Sequence, residues 1–117
     1  VARNAVAFEV PSGIDPRAKE AGAYWFMYKL DTSQKPWVQT TDRLGIGHAC
    51  PCGCGMQGCI WFRDGSMNGS GRNPDHEWDV TGEWPKVTLA PSIGFGRLKA
   101  GGYHWHGFLE DGVFVER

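Results

Sequence analysis

Four cysteines, Cys50, Cys52, Cys54 and Cys59, fall within ten residues and are interleaved with Gly53, Gly55 and Gly58. Disulfide frameworks spread their cysteines to staple distant segments. Thiols packed this closely among glycines have instead the spacing of metal ligands. Thiolates are soft anionic donors that suit zinc, an ion with no strong geometric preference of its own. Gly53 and Gly55 let the backbone curl round an ion, and Pro51 stiffens the entry. In an extended segment Cys50, Cys52 and Cys54 share one face; in a curled segment two of them converge.

A closed structural zinc site needs four ligands. The second source is the segment His104-Trp105-His106. In a strand those two histidines point to the same side, so either or both can reach one ion. His48 is nearer to the cysteines in sequence, but a site built from residues 48–59 alone leaves the C-terminal segment untethered. Ligands about fifty residues apart close a long loop and remove entropy from the unfolded chain. The expected metal set is therefore Cys50, Cys52, Cys54, His104 and His106, around one structural zinc ion. Cys59 reads as an ordinary buried thiol beside a strand, and His76 as a surface residue.

The rest of the chain reads as all-β, with mainly antiparallel short strands and at most one short helix. Seventeen glycines and six tryptophans favour short strands and tight turns over long helices. Strands are expected at 5–10, 23–30, 37–40, 59–63, 76–80, 86–89, 103–109 and 113–116. Pro91-Ser92-Ile93-Gly94 ends the 86–89 strand, and Asp111-Gly112 is a strong hairpin signal between the last two. Asp15, as N-cap, and Pro16, at the first helical position, allow a two-turn helix over 15–21. Residues 64–75 are the most loop-like stretch and the expected binding loop. Trp25, Trp61, Trp78 and Trp105 are expected in the core.

At 117 residues the chain is expected to form one zinc-stabilised domain over 1–117. Its net charge of −1, without a basic stripe, argues against nucleic acid as a partner. No apolar run is long enough for a membrane span, and no secretory pattern opens the chain. The expected location is thus a soluble compartment.

Four segments occur in order: His48-Ala-Cys-Pro-Cys-Gly-Cys-Gly55, Glu77-Trp78-Asp79, Val87-Thr-Leu-Ala-Pro-Ser-Ile93 and His104-Trp-His-Gly-Phe-Leu-Glu-Asp-Gly-Val113. This set resembles a family of small domains of bacteriophage and prophage genomes. Its members carry a Cys-Pro-Cys-Gly-Cys-Gly element, a tryptophan segment, a Thr-Leu-x-Pro-Ser-Ile element and a terminal His-rich or Cys-x-x-His hairpin. The likeness spans roughly 46–115. It implies metal ligation by cysteines among 50, 52 and 54 and by His106. Many members place a Cys three residues before that His; here the position is Tyr103, and His104 takes the role.

The resemblance implies a phage origin and no established activity. The expected function is a non-enzymatic protein-interaction module, such as a head-decoration or tail protein, located in the virion or the host cytoplasm. Its partners would be phage virion proteins or a host protein. An accessory protein that blocks host defence and a zinc-dependent hydrolase are the alternatives. For the hydrolase, Asp75, Glu77, Asp79 and Glu110 are the available carboxylates, but none lies in a recognised motif such as His-Glu-x-x-His.

Overall fold

The computed structural model describes residues 3–33, 35–63, 77–97 and 102–117. Ten strands run through them: β1 (Ala5–Val6), β2 (Phe8–Glu9), β3 (Ala23–Asp31), β4 (Val38–Ala49), β5 (Gln57–Phe62), β6 (Glu77–Glu83), β7 (Lys86–Ala90), β8 (Ile93–Arg97), β9 (Tyr103–Glu110) and β10 (Val113–Glu116). They form two sheets, one in the order β1-β10-β9-β8 and the other in the order β2-β3-β4-β5-β6-β7. The protein is all-β, and no helix occurs among the described residues.

The core lies where the sheets meet. Tyr24, Phe26, Ile46, Ile60, Val87, Leu89, Ile93, Trp105, Leu109 and Phe114 are all buried there. The alternation is clean in β9: Trp105, Gly107 and Leu109 face inward, whereas His104, His106 and Phe108 lie on the other face. Of the four tryptophans expected in the core, only Trp105 is fully buried; Trp25, Trp61 and Trp78 are half-buried.

The β9–β10 hairpin turns at Asp111 and Gly112, both at positive φ (47° and 79°), as the Asp-Gly pair predicts. The expected 5–10 strand divides into β1 and β2 in different sheets, the expected 37–40 strand runs on to Ala49 as β4, and two further segments differ in kind. Residues 15–21 form successive tight turns instead of a helix: Ala18 N–H donates to Asp15 O, Glu20 N–H to Arg17 O and Ala23 N–H to Glu20 O. Asp15 Oδ1 accepts from Arg17 N–H, so the cap exists, but Gly22 follows too soon for an i→i+4 ladder to propagate. The second difference is β8. Residues 93–97 pair with β9, Ile93 opposite Gly107, Gly94 opposite His106 and Phe95 opposite Trp105. Pro91 interrupts for two residues only, and the chain re-enters the other sheet at Ile93. The expected binding loop, 64–75, and His76 lie outside the described residues.

Candidate functional site

The β4–β5 connection is a tight loop. Cys50 N–H donates to Met56 O at 2.8 Å, and Gly53 N–H donates to Cys50 O at 3.0 Å. Gly53 and Gly55 sit at φ 86° and 91°, where an L side chain would be strained. Those two reversals bring the first three thiols together. Cys50 is buried, Cys52 half-buried and Cys54 exposed, so the cluster runs from the core outward.

His104 completes it. The sulfurs of Cys50, Cys52 and Cys54 and one His104 ring nitrogen all lie within 4.8 Å of one another. Cys52 Sγ is 3.3 Å from Cys50 Sγ and 2.9 Å from His104 Nε2. A zinc tetrahedron with Zn–S near 2.3 Å has edges of roughly 3.7 Å. Opening these contacts by roughly 0.5–1 Å seats an ion between the four donors. Burial pushes the Cys50 thiol up to about 12, while the Met56 main chain draws the Cys54 thiol down. A central cation reverses the Cys50 penalty, because it stabilises the thiolate that burial disfavours. The four residues therefore make a Cys3His group able to hold one metal ion. Cys59 is exposed on β5, away from it.

His106, the fifth residue of the expected metal set, faces a different partner. Its Nε2 lies 3.1 Å from Ser92 Oγ, and its Nδ1 lies 3.1 Å from the main-chain oxygen of Arg117. A carbonyl only accepts, so Nδ1 carries the proton and Nε2 presents its lone pair to the serine hydroxyl. Arg117 is itself pinned, because its N–H donates to His106 O at 2.9 Å. The Trp78 indole N–H fixes the Ser92 backbone by donating to Ser92 O at 3.2 Å. Tyr103 stacks on the His106 ring, with centroids 5.8 Å apart and planes at 21°. Its ring passes over Gly94, where a Cβ would come within 2.5 Å of it. A hydroxyl, an imidazole and an acceptor that orients the imidazole thus follow one another, an arrangement able to activate a serine.

The carboxylates considered for metal-assisted hydrolysis have other positions. Glu110 accepts from the Arg117 guanidinium at 2.9 Å, and Asp79 lies 3.7 Å from Arg63. Glu77 pairs through its backbone with Trp61, and Asp75 lies outside the described residues. His48 is buried between Phe95 and Phe114, and burial pulls its pKa down to about 4.

Ser92 was legible as a turn residue and as a member of the Thr-Leu-x-Pro-Ser-Ile element, with no chemical role attached to it. One signal bore on it: if the cysteines need a single histidine, the other member of His104-Trp105-His106 is free for a second task.

Fold and site together define a β-rich protein with a hydrogen-bonded Ser–His pair beside a Cys3His cluster able to hold a metal ion. The family model of the bacterial ubiquitination-like system serine protease (BubE) matches residues 25–116, and the chain belongs to that family. No curated protein and no solved structure matches. The family overturns the expectation of a non-enzymatic phage module, whether a virion component or a blocker of host defence, because its description is that of a protease. It also displaces the zinc-dependent hydrolase, since the family chemistry is that of a serine. The structure adds that no helix among the described residues is long and apolar enough to cross a membrane.

Proposed function

We propose that this chain is a serine protease of a bacterial ubiquitination-like system, with Ser92 as nucleophile, His106 as general base and a structural zinc ion at Cys50, Cys52, Cys54 and His104. The observation that carries the reading is the 3.1 Å approach of His106 Nε2 to Ser92 Oγ, with the opposite ring nitrogen held by a main-chain acceptor. The family match supports it independently.

The mechanism follows from these positions. Ser92 Oγ attacks the scissile carbonyl carbon as its proton passes to His106 Nε2. The Arg117 oxygen keeps the Nδ1–H in place and steadies the imidazolium. His106 then returns the proton to the leaving amine, and the C–N bond breaks to leave an acyl ester on Ser92. Water attacks the ester as its proton passes to His106, and His106 returns that proton to Ser92 Oγ as the ester C–O bond breaks and the acid leaves. Tyr103 screens one face of the ring and offers its π-face to the imidazolium.

The zinc, when bound, supplies folding free energy and anchors β9 to the β4–β5 loop. A thiolate-rich, four-ligand set suits that closed structural role.

A fluorophosphonate probe, which reacts covalently with activated serines, tests the proposal. Intact protein should label at Ser92, and Ser92→Ala and His106→Ala should not label. Labelling that persists at another residue in Ser92→Ala would sink it.

A further inference from the structure

The Ser92 hydroxyl meets the His106 ring, so the nucleophile works on the outer face of the sheet that holds β8, β9 and β10. Along β9 that face carries His104, His106, Phe108 and Glu110. Strand register arranges the neighbours in rows. Gly94 is opposite His106 on one side, and Arg117 N–H reaches His106 O from the other. Val115 is opposite Phe108, and Val113 is opposite Glu110. One step beyond the β8 ladder, the same register sets Ser92 opposite Phe108. Directly opposed residues have Cβ atoms about 4.5–5.5 Å apart. Phe108 is therefore the apolar side chain beside the nucleophile on its own face.

The core does not account for this ring. Phe108 is half-buried and belongs to neither cluster of packed core residues. Its surroundings are polar at both ends of the row. The His106 imidazole stands two residues before it, and Tyr103 stacks on that imidazole. Two residues after it, Glu110 joins the Arg117 guanidinium at 2.9 Å. Glu110 and Arg117 belong to the rows on either side, so their ion pair crosses between Phe108 and Val115. An aromatic surface is thus left next to Ser92, with the imidazole on one side and an ion pair behind it.

The chemistry decides which part of a substrate covers it. His106 protonates the leaving amine, so the leaving group lies over the His106 row. The acyl part then extends the other way from the attacked carbonyl, over the Phe108 row. Resting on the serine-protease reading above, we infer that Phe108 determines specificity. Its ring takes a short aliphatic group on the acyl side of the scissile bond, and the Glu110–Arg117 pair limits the length of that group. Apolar contact of this kind discriminates by roughly 10–200-fold per methylene.

The p-nitrophenyl esters of acetic, butyric and octanoic acids test the inference. Rates are compared as kcat/KM ratios within each protein, which cancels any general loss of activity. Wild-type protein should favour butyrate over acetate by about tenfold or more, and should turn over octanoate more slowly than butyrate. Phe108→Ser should bring the butyrate-to-acetate ratio to within about twofold of one. Glu110→Ala, a change at a surface ion pair, should raise the octanoate-to-butyrate ratio by about tenfold. A butyrate preference absent from the wild type, or retained in Phe108→Ser, overturns the subsite. An unchanged length limit in Glu110→Ala overturns the role of the ion pair. Hydrolysis that persists at full rate in Ser92→Ala refutes the serine reading instead. Binding is read apart from chemistry on Ser92→Ala protein titrated with butyramide. The Phe108 ring resonances should shift, and unmoved resonances remove the subsite even where the serine reacts.

Discussion

His104 and His106 stand two residues apart on one face of β9 yet serve different partners: His104 Nε2 lies 2.9 Å from Cys52 Sγ, and His106 Nε2 lies 3.1 Å from Ser92 Oγ. The register with β8 explains the division. His106 is opposite Gly94, two residues beyond Ser92, and His104 packs on Gly96 with its Cβ 3.0 Å from where a Gly96 Cβ would sit. Same-face neighbours on a strand are about 7 Å apart, too far for both rings to serve one small cluster while the second also reaches the serine.

The two histidines should therefore separate by mutation. His106→Gln is expected to lower the fluorophosphonate labelling rate by about 10²–10⁴-fold, the usual worth of a general base, and to keep its metal. His104→Gln should lose metal and stability first. Plasma mass spectrometry for zinc, run beside the labelling kinetics, reads both. Metal loss in His106→Gln with full retention in His104→Gln would reverse the roles.

Metal removal should act on both halves of the site. Chelation is expected to lower the melting temperature, because structural zinc free energy is folding free energy. It should also slow labelling of Ser92, since β9 loses its tether to the β4–β5 loop. Zinc added back should restore both; labelling that ignores the metal would show that β9 holds His106 unaided.

The cysteines should divide by position. Cys50→Ser is expected to be severe, because Cys50 is buried and its thiol is one of the four clustered donors. Cys59→Ser should keep one equivalent of metal and its melting temperature to within a few degrees, as an exposed residue away from the cluster. Thermal melts and metal content of the two variants decide it.

Tyr103 should contribute through its ring and not its hydroxyl. Tyr103→Ala is expected to slow labelling about three- to tenfold, in line with about 0.5–1 kcal/mol for an exposed cation–π contact plus a loosened imidazole. Tyr103→Phe should restore the rate. A Phe variant as slow as Ala would point to the phenol oxygen.

Much of the fold was legible because its signals are local. Alternation in 103–109 and the Asp111-Gly112 turn identify the hairpin. Crowded cysteines and glycines identify the metal loop, although the loop curls and does not run extended. What was illegible depends on distant pairing. β8 contains two glycines and follows a proline, so its strand character comes from β9 beside it. Ser92 lies in the Thr-Leu-x-Pro-Ser-Ile element, but nothing local in that element reveals its partner; the β8–β9 register is what sets it against His106. A shared strand face reads as a shared ligand, which is why His106 was drawn to the metal.

The acceptor that orients His106 belongs to the main chain of Arg117. Catalytic pairs steered by a carboxylate can be disabled by one side-chain replacement. Here every amino acid at position 117 carries the same oxygen, so a substitution scan of that position should find little effect. Deleting residue 117 should instead free the imidazole to change tautomer. The vulnerability of this part of the site is to the length and path of the backbone, a kind of damage to which point-mutation surveys are blind.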